Sequence, residues 1–139
     1  MEDRYLFRGK RIDNGEWAEG HLITGEKDDL KYFIGYVLGT DEDGSPHDLD
    51  AVQVDPSTIC QCTGLKDKNG KLIWENDILS GHIDNEFPED ETRKRVVWHE
   101  NGWCTNEPGC DYYEALDDFD LENFEVIGNM IDNPELLEV

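Results

Sequence analysis

Apolar residues along this chain come in short runs punctuated by Gly, Asn, Asp and Pro, and no run keeps the i, i+3, i+4 spacing of a long amphipathic helix. Residues 5–8 and 16–23 alternate weakly across Arg11-Ile12-Asp13-Asn14-Gly15, with Trp17 as apolar anchor and Gly20 marking a bulge or close approach. Residues 32–38 are the most β-prone run, and residues 51–54 form a short strand stopped by Asp55-Pro56. Further strands are predicted at 72–74, 78–83, 96–100, 103–105 and 124–131. Asn14-Gly15, Asn69-Gly70 and Asn101-Gly102 each separate two such runs, which predicts three hairpins with two-residue loops. Polar loops are expected at 25–29, 39–50 and 84–92. Helical turns are expected at 117–123 and at 133–137, where Asn133 would cap and Pro134 would take the first position. The fold class is therefore mainly β, built of short-stranded hairpins with short terminal helical turns, and residues 1–139 read as one domain.

The pattern centres on residues 63–79, TGLKDKNGKLIWENDIL. Asn76 is expected to be left-handed there, because Asn tolerates that conformation better than other residues with a side chain. Thr63, Gly64, Leu65, Asp67, Gly70, Ile73, Glu75, Asp77 and Ile78 match a T-G-L-x-D-x-x-G-x-x-I-x-E-G-D-I pattern. Arg4-Tyr5-Leu6-Phe7-Arg8-Gly9 with Trp17 and Gly20 agrees near the start, and Glu125-Val126-Ile127-Gly128-Asn129 followed by Asn133-Pro134-Glu135-Leu136-Leu137 agrees at the end. In these segments the chain resembles the YopX-like family of phage and prophage proteins. Asn76 stands where that family usually has Gly, and Cys62 where it has an aromatic residue. The resemblance implies an SH3-like barrel containing the central stretch and a phage or prophage origin. It brings no established biochemical activity. The matching residues, with Gly128, Asn129 and Pro134, are expected to be structural.

Composition changes this picture in two respects. The formal net charge is -22 over 139 residues, and all 12 Lys and Arg lie before Val96, so the chain from there to Val139 carries acids only. Direct nucleic-acid binding is disfavoured, since it needs clustered cations to neutralise phosphates. A solvated acidic surface or a basic host or phage protein as partner are the readings left. The chain has no run of about 18 apolar residues and does not open on a signal-peptide layout, so no membrane association and a cytoplasmic location in the bacterial host are expected. The four cysteines are then expected as free thiols.

Candidate chemistry narrows by spacing. Cys60, Cys62, Cys104 and Cys110 with His82 or His99 do not reproduce the paired knuckles of structural zinc, and Asp41, Asp43 and Gly44 do not reproduce a calcium loop, so neither metal nor cofactor is expected. His21, His47, His82 and His99 are isolated, and no nucleophile elbow, phosphate loop or dinucleotide fingerprint occurs; an enzyme would need a site assembled in space. Asp117, Asp118, Asp120 and Glu122, between Glu114 and Glu125 and interleaved with Leu116, Phe119, Leu121 and Phe124, could imitate a phosphate array, which makes an acidic DNA mimic the alternative. The leading expectation is a self-associating protein-interaction module using sheet edges and spare aromatic residues.

Overall fold

The computed structural model describes residues 6–24, 31–40, 42, 46–82 and 91–138. The loop expected at 25–29, most of that at 84–92, and Asp41, Asp43 and Gly44 lie outside them. Contacts gather in two compact units, residues 1–61 and 62–139, a division that no linker announces.

In the first unit the strands are β1 (Phe7–Lys10), β2 (Trp17–Thr24), β3 (Tyr32–Thr40) and β4 (Pro46–Val54), followed by a 3-10 turn at Pro56–Thr58 and the start of β5 (Cys60–Lys66). All neighbours pair antiparallel in the order β4-β3-β2-β1-β5. Alternation sends Ala18 inward and Glu19 outward on β2, and Ala18, Ile34 and Val54 form the core, with Phe7, Leu22, Tyr32, Val52 and Ile59 packed on it. Gly9 is needed where β1 crosses Val54, since a Cβ would sit 3.1 Å from two of its side-chain carbons. Strand β4 begins at Pro46, inside the predicted 39–50 loop. Its ladder with β3 runs from Tyr32↔Val54 to Thr40↔Pro46, so paired backbone overrides the acidic, loop-like composition.

The second unit takes the rest of β5 with β6 (Leu72–Trp74), and a sheet ordered β10-β9-β8-β7-β11. Its strands are β7 (Asp77–Gly81), β8 (Thr92–His99), β9 (Gly102–Asn106), β10 (Glu114–Ala115) and β11 (Phe124–Asn129). Helix α1 (Asp118–Asn123) precedes β11, and a 3-10 turn at Pro134–Leu137 follows it, both where helical turns are predicted. Ile73, Leu79, Val96 and Phe124 are fully buried together, with Trp103, Leu116, Leu121 and Val126 against them. Among the described residues the strands form two antiparallel sheets and no closed barrel; a single isolated bridge pairs Arg11, just past β1, with Val54 at the end of β4.

All three Asn-Gly pairs lie at hairpin turns; the first two loops are longer than the predicted two residues, and the third has two residues but is shifted by one position. At the first, Arg11 N–H donates to the Glu16 carbonyl and Gly15 N–H to the Arg11 carbonyl, enclosing residues 12–15 with Gly15 at φ 72°. At the second, Asp67 N–H donates to the Lys71 carbonyl and Gly70 N–H to the Asp67 carbonyl, with Gly70 at φ 82°, the form of a type I turn followed by a left-handed residue. The third loop is Glu100-Asn101, with Glu100 rather than Asn101 at φ 57° and Gly102 already paired with His99. Register explains the shift. Trp98 pairs with Trp103 and their rings meet edge to face at 5.1 Å; a slip of one residue would turn Trp103 away from the buried Val96. Asn76 has φ 71°, as its side chain permits.

Candidate functional site

The central hairpin is braced by its own polar side chains. Thr63 is buried; its hydroxyl donates to the Ile73 carbonyl at 2.7 Å and accepts from Leu65 N–H at 3.0 Å. Next to it Gly64 has φ 79°, where the β5–β6 register shifts between Cys62 and Lys66. Asp67 is only 6% exposed, and its carboxylate accepts from three backbone amides: Asn69 and Lys71 through Oδ1, and Val126 through Oδ2, each at 2.9 Å. Lys68 N–H donates to the Phe124 carbonyl at 3.2 Å, so the turn is fastened to β11 at two points.

The other motif residues are equally committed. Asp77 is 2% exposed and accepts from Trp74 N–H at 2.7 Å, closing the Glu75-Asn76 turn, while Ile73 is in the core. Asn129 accepts from Ile131 and Asp132 N–H and donates to the Asp132 carboxylate. A Cβ on Gly128 would lie 2.6 Å from Asn133 Oδ1 and 2.9 Å from Leu136 Cδ1, so the Pro134 turn packs onto bare backbone. Asn133 makes no side-chain cap; its Oδ1 accepts from Asn129 N–H instead, which corrects the predicted capping role.

The acidic stretch divides on inspection. Asp117 caps α1 in a capping box with Asp120, and Asp117, Asp118 and Glu122 are exposed. Asp120, placed with them by sequence, is 5% exposed: its Oδ1 lies 2.5 Å from Lys94 Nζ, which also sits 4.4 Å from the centre of the Phe124 ring. Asp120 is thus taken out of the surface array. Leu116 and Leu121 pack on the core and Phe124 is inside it, but Phe119 is 45% exposed.

Several aromatic side chains on the β8–β9 hairpin and in the segment that follows it are exposed. Trp98 is 52% exposed, Tyr112 60% and Tyr113 38%; Trp98 rests edge-on against Trp103, and His99 stacks on Tyr113 with ring centres 4.0 Å apart. Asn106 Nδ2 donates to the carbonyls of Cys110 and Tyr112, fixing the loop that delivers the tyrosines. The Cys110 thiol beside Tyr112, followed by Glu114, pushes its hydroxyl above the ordinary value. Runs of alternating residues gave no warning of this cluster, because Trp98 continues the buried face of Val96 beyond the end of the core.

Chemical groups elsewhere are already engaged. An open cleft of about 440 Å³ is lined by Arg93, Glu91, Glu107, Pro108 and Leu136–Glu138. Arg93 Nε donates to Glu91 at 2.5 Å and its Nη1 to the Leu136 carbonyl, and the Ser80 hydroxyl donates to the same Glu91 oxygen. The Arg93 guanidinium, then Ser80, holds the Glu91 carboxyl below its usual value. Ser80 therefore faces a carboxylate that is neutralised, not one set to take its proton. Cys60 and Cys62 are buried, Cys104 and Cys110 partly so, all as free thiols, and no grouping of three or more His, Cys, Asp or Glu suited to a metal occurs among the described residues. No helix among the described residues is long and apolar enough to cross a membrane.

Protein EF1440 from Enterococcus faecalis has a crystal structure similar in fold to this chain: TM-score 0.52, 24% sequence identity, covering 95% of this chain and 96% of that one. No curated protein matches the chain. Residues 6–138 match the family described as YopX protein, and the chain belongs to that family.

Proposed function

We propose that this member of the YopX family is a phage- or prophage-encoded accessory protein of the host cytoplasm that acts as a self-associating interaction module. The observation carrying this reading is the set of aromatic side chains Trp98, Tyr112, Tyr113 and Phe119, each 38–60% exposed, with Tyr113 stacked on His99 next to Trp98. Aromatic side chains are the groups that most often dominate association energetics, and burying such a ring fully is worth about 2–3 kcal/mol. Acidic residues intersperse the aromatic ones from Tyr112 to Glu125, and charge next to exposed aromatic side chains suits an association surface. Thr63, Asp67, Ile73, Asp77 and Asn129, engaged with backbone or core, fit a supporting role. The order β4-β3-β2-β1-β5 with a 3-10 turn between β4 and β5 supports an SH3-like arrangement, centred on residues 1–61 rather than on the central stretch 63–79 that the family resemblance places in it.

Sedimentation velocity across a concentration series tests the reading. The wild type should exceed the 16.0 kDa of one chain, and W98A/Y113A should shift the equilibrium toward monomer at unchanged circular dichroism. A wild-type chain that stays monomeric at high concentration would end the proposal. The DNA-mimic alternative retains Asp117, Asp118 and Glu122 as exposed carboxylates; it requires a captured nucleic-acid-binding protein that DNA displaces.

A further inference from the structure

We infer that the hairpin braced by Asp67 presents Lys66, Lys68 and Lys71 to the acidic, aromatic stretch of a second copy, so that self-association runs head to tail. This rests on the self-association proposed above and names its two contacting surfaces. All three lysines are exposed, and none makes an ion pair among the described residues. Other cations are engaged within the chain: Arg93 with Glu91, Lys94 with Asp120, Arg11 with Asp13. The turn carrying the lysines is rigid, because Asp67 takes the amides of Asn69, Lys71 and Val126, and Asn69 Nδ2 donates to Glu125 at 2.9 Å.

Charge selects the occupant. At -22 per chain, two copies repel, and a symmetric contact of the exposed 112–122 stretch with itself would bring Glu114, Asp118 and Glu122 up against like charges. No Lys or Arg occurs from Val96 onward to relieve that repulsion. A lysine head against the same surface converts it to attraction, and an ammonium over Trp98 or Tyr113 gains from the ring face as well. Such a contact uses two different patches, so each copy keeps one patch available, and assembly proceeds to a ring or a filament rather than stopping at a two-fold dimer.

Charge reversal with mixing tests this. K66E/K68E/K71E and, separately, E114K/D118K/E122K should each weaken self-association at least tenfold in sedimentation, with circular dichroism confirming the fold; Asp117 is left intact because it caps α1. An equimolar mixture of the two variants should recover association to near the wild-type level. If the lysine reversal leaves association intact while W98A/Y113A abolishes it, the head-to-tail contact is overturned and the interaction module stands. Failure of the mixture to recover overturns the contact too. A monomeric wild type removes both.

Discussion

Asp67 stands in for a missing stretch of backbone: one carboxylate takes three amides that have no strand partner, two in its own turn and one on β11. Replacing it with Ala leaves those donors without their acceptor in a buried place, and D67A should lose about 3 kcal/mol in urea unfolding, whereas D67N, which keeps one acceptor oxygen, should lose less. Glycine positions give a graded comparison. An added Cβ at Gly81 would meet the Asn123 carbonyl at 2.7 Å and the Phe124 ring at 2.8 Å, backbone and a buried ring that cannot yield; at Gly128 it would meet side chains of Asn133 and Leu136. G81A should therefore cost more than G128A, about 3 against about 1–2 kcal/mol by the same measurement. At this scale the sequence was informative where chemistry is local. Gly70 and Asn76 announce left-handed backbone, and both adopt it. The reach of Asp67 to Val126 could not be read, because nothing local to either residue encodes a contact between them.

Helix α1 shows where element-level reading runs out. Asp117 marks its start, and the helix begins at Asp118. Its phase was not legible, since acids and apolar residues alternate too closely in DFDLEN for a six-residue helix to show a face. Position is instead decided by Lys94 on β8, whose buried ammonium needs a carboxylate and takes Asp120. Removing one partner strands the other, so D120A should cost about 3–5 kcal/mol, while the double replacement K94M/D120L should recover most of it. An additive result in that double-mutant cycle would mean the pair is not coupled. The β8–β9 hairpin offers the converse lesson: its existence followed from Asn101-Gly102, but its register followed from the Trp98–Trp103 contact, which a turn signal does not contain. Strand β4 was missed over 46–50 because its charged residues matched a loop composition, although His47-Asp48-Leu49-Asp50 lies next to an evident strand.

For the whole molecule, charge sets the response to solution conditions. Self-repulsion at -22 opposes compactness, so the melting temperature of the monomer should rise with added salt. Glu91 gives a local readout. Its folded pKa lies below the ordinary 4.5, so its contribution is complete above that value and is lost as pH falls through the lower folded one. Carboxyl NMR should place its midpoint below 4.5 in the wild type and closer to 4.5 in R93A. The bonds of Asp67, finally, differ in how far they reach along the chain: two and four residues to Asn69 and Lys71, but 59 to Val126. The turn can close as soon as it is made, whereas the tie to β11 must wait until the intervening chain has come back. The carboxylate is then a late clasp on an early turn, and its loss should be felt on escape from the native state more than on entry to it. In stopped-flow chevrons D67A should speed unfolding through loss of the tie to β11, and slow folding only by the share of the two local turn bonds; a folding limb that absorbs the whole loss would put the clasp inside the nucleus.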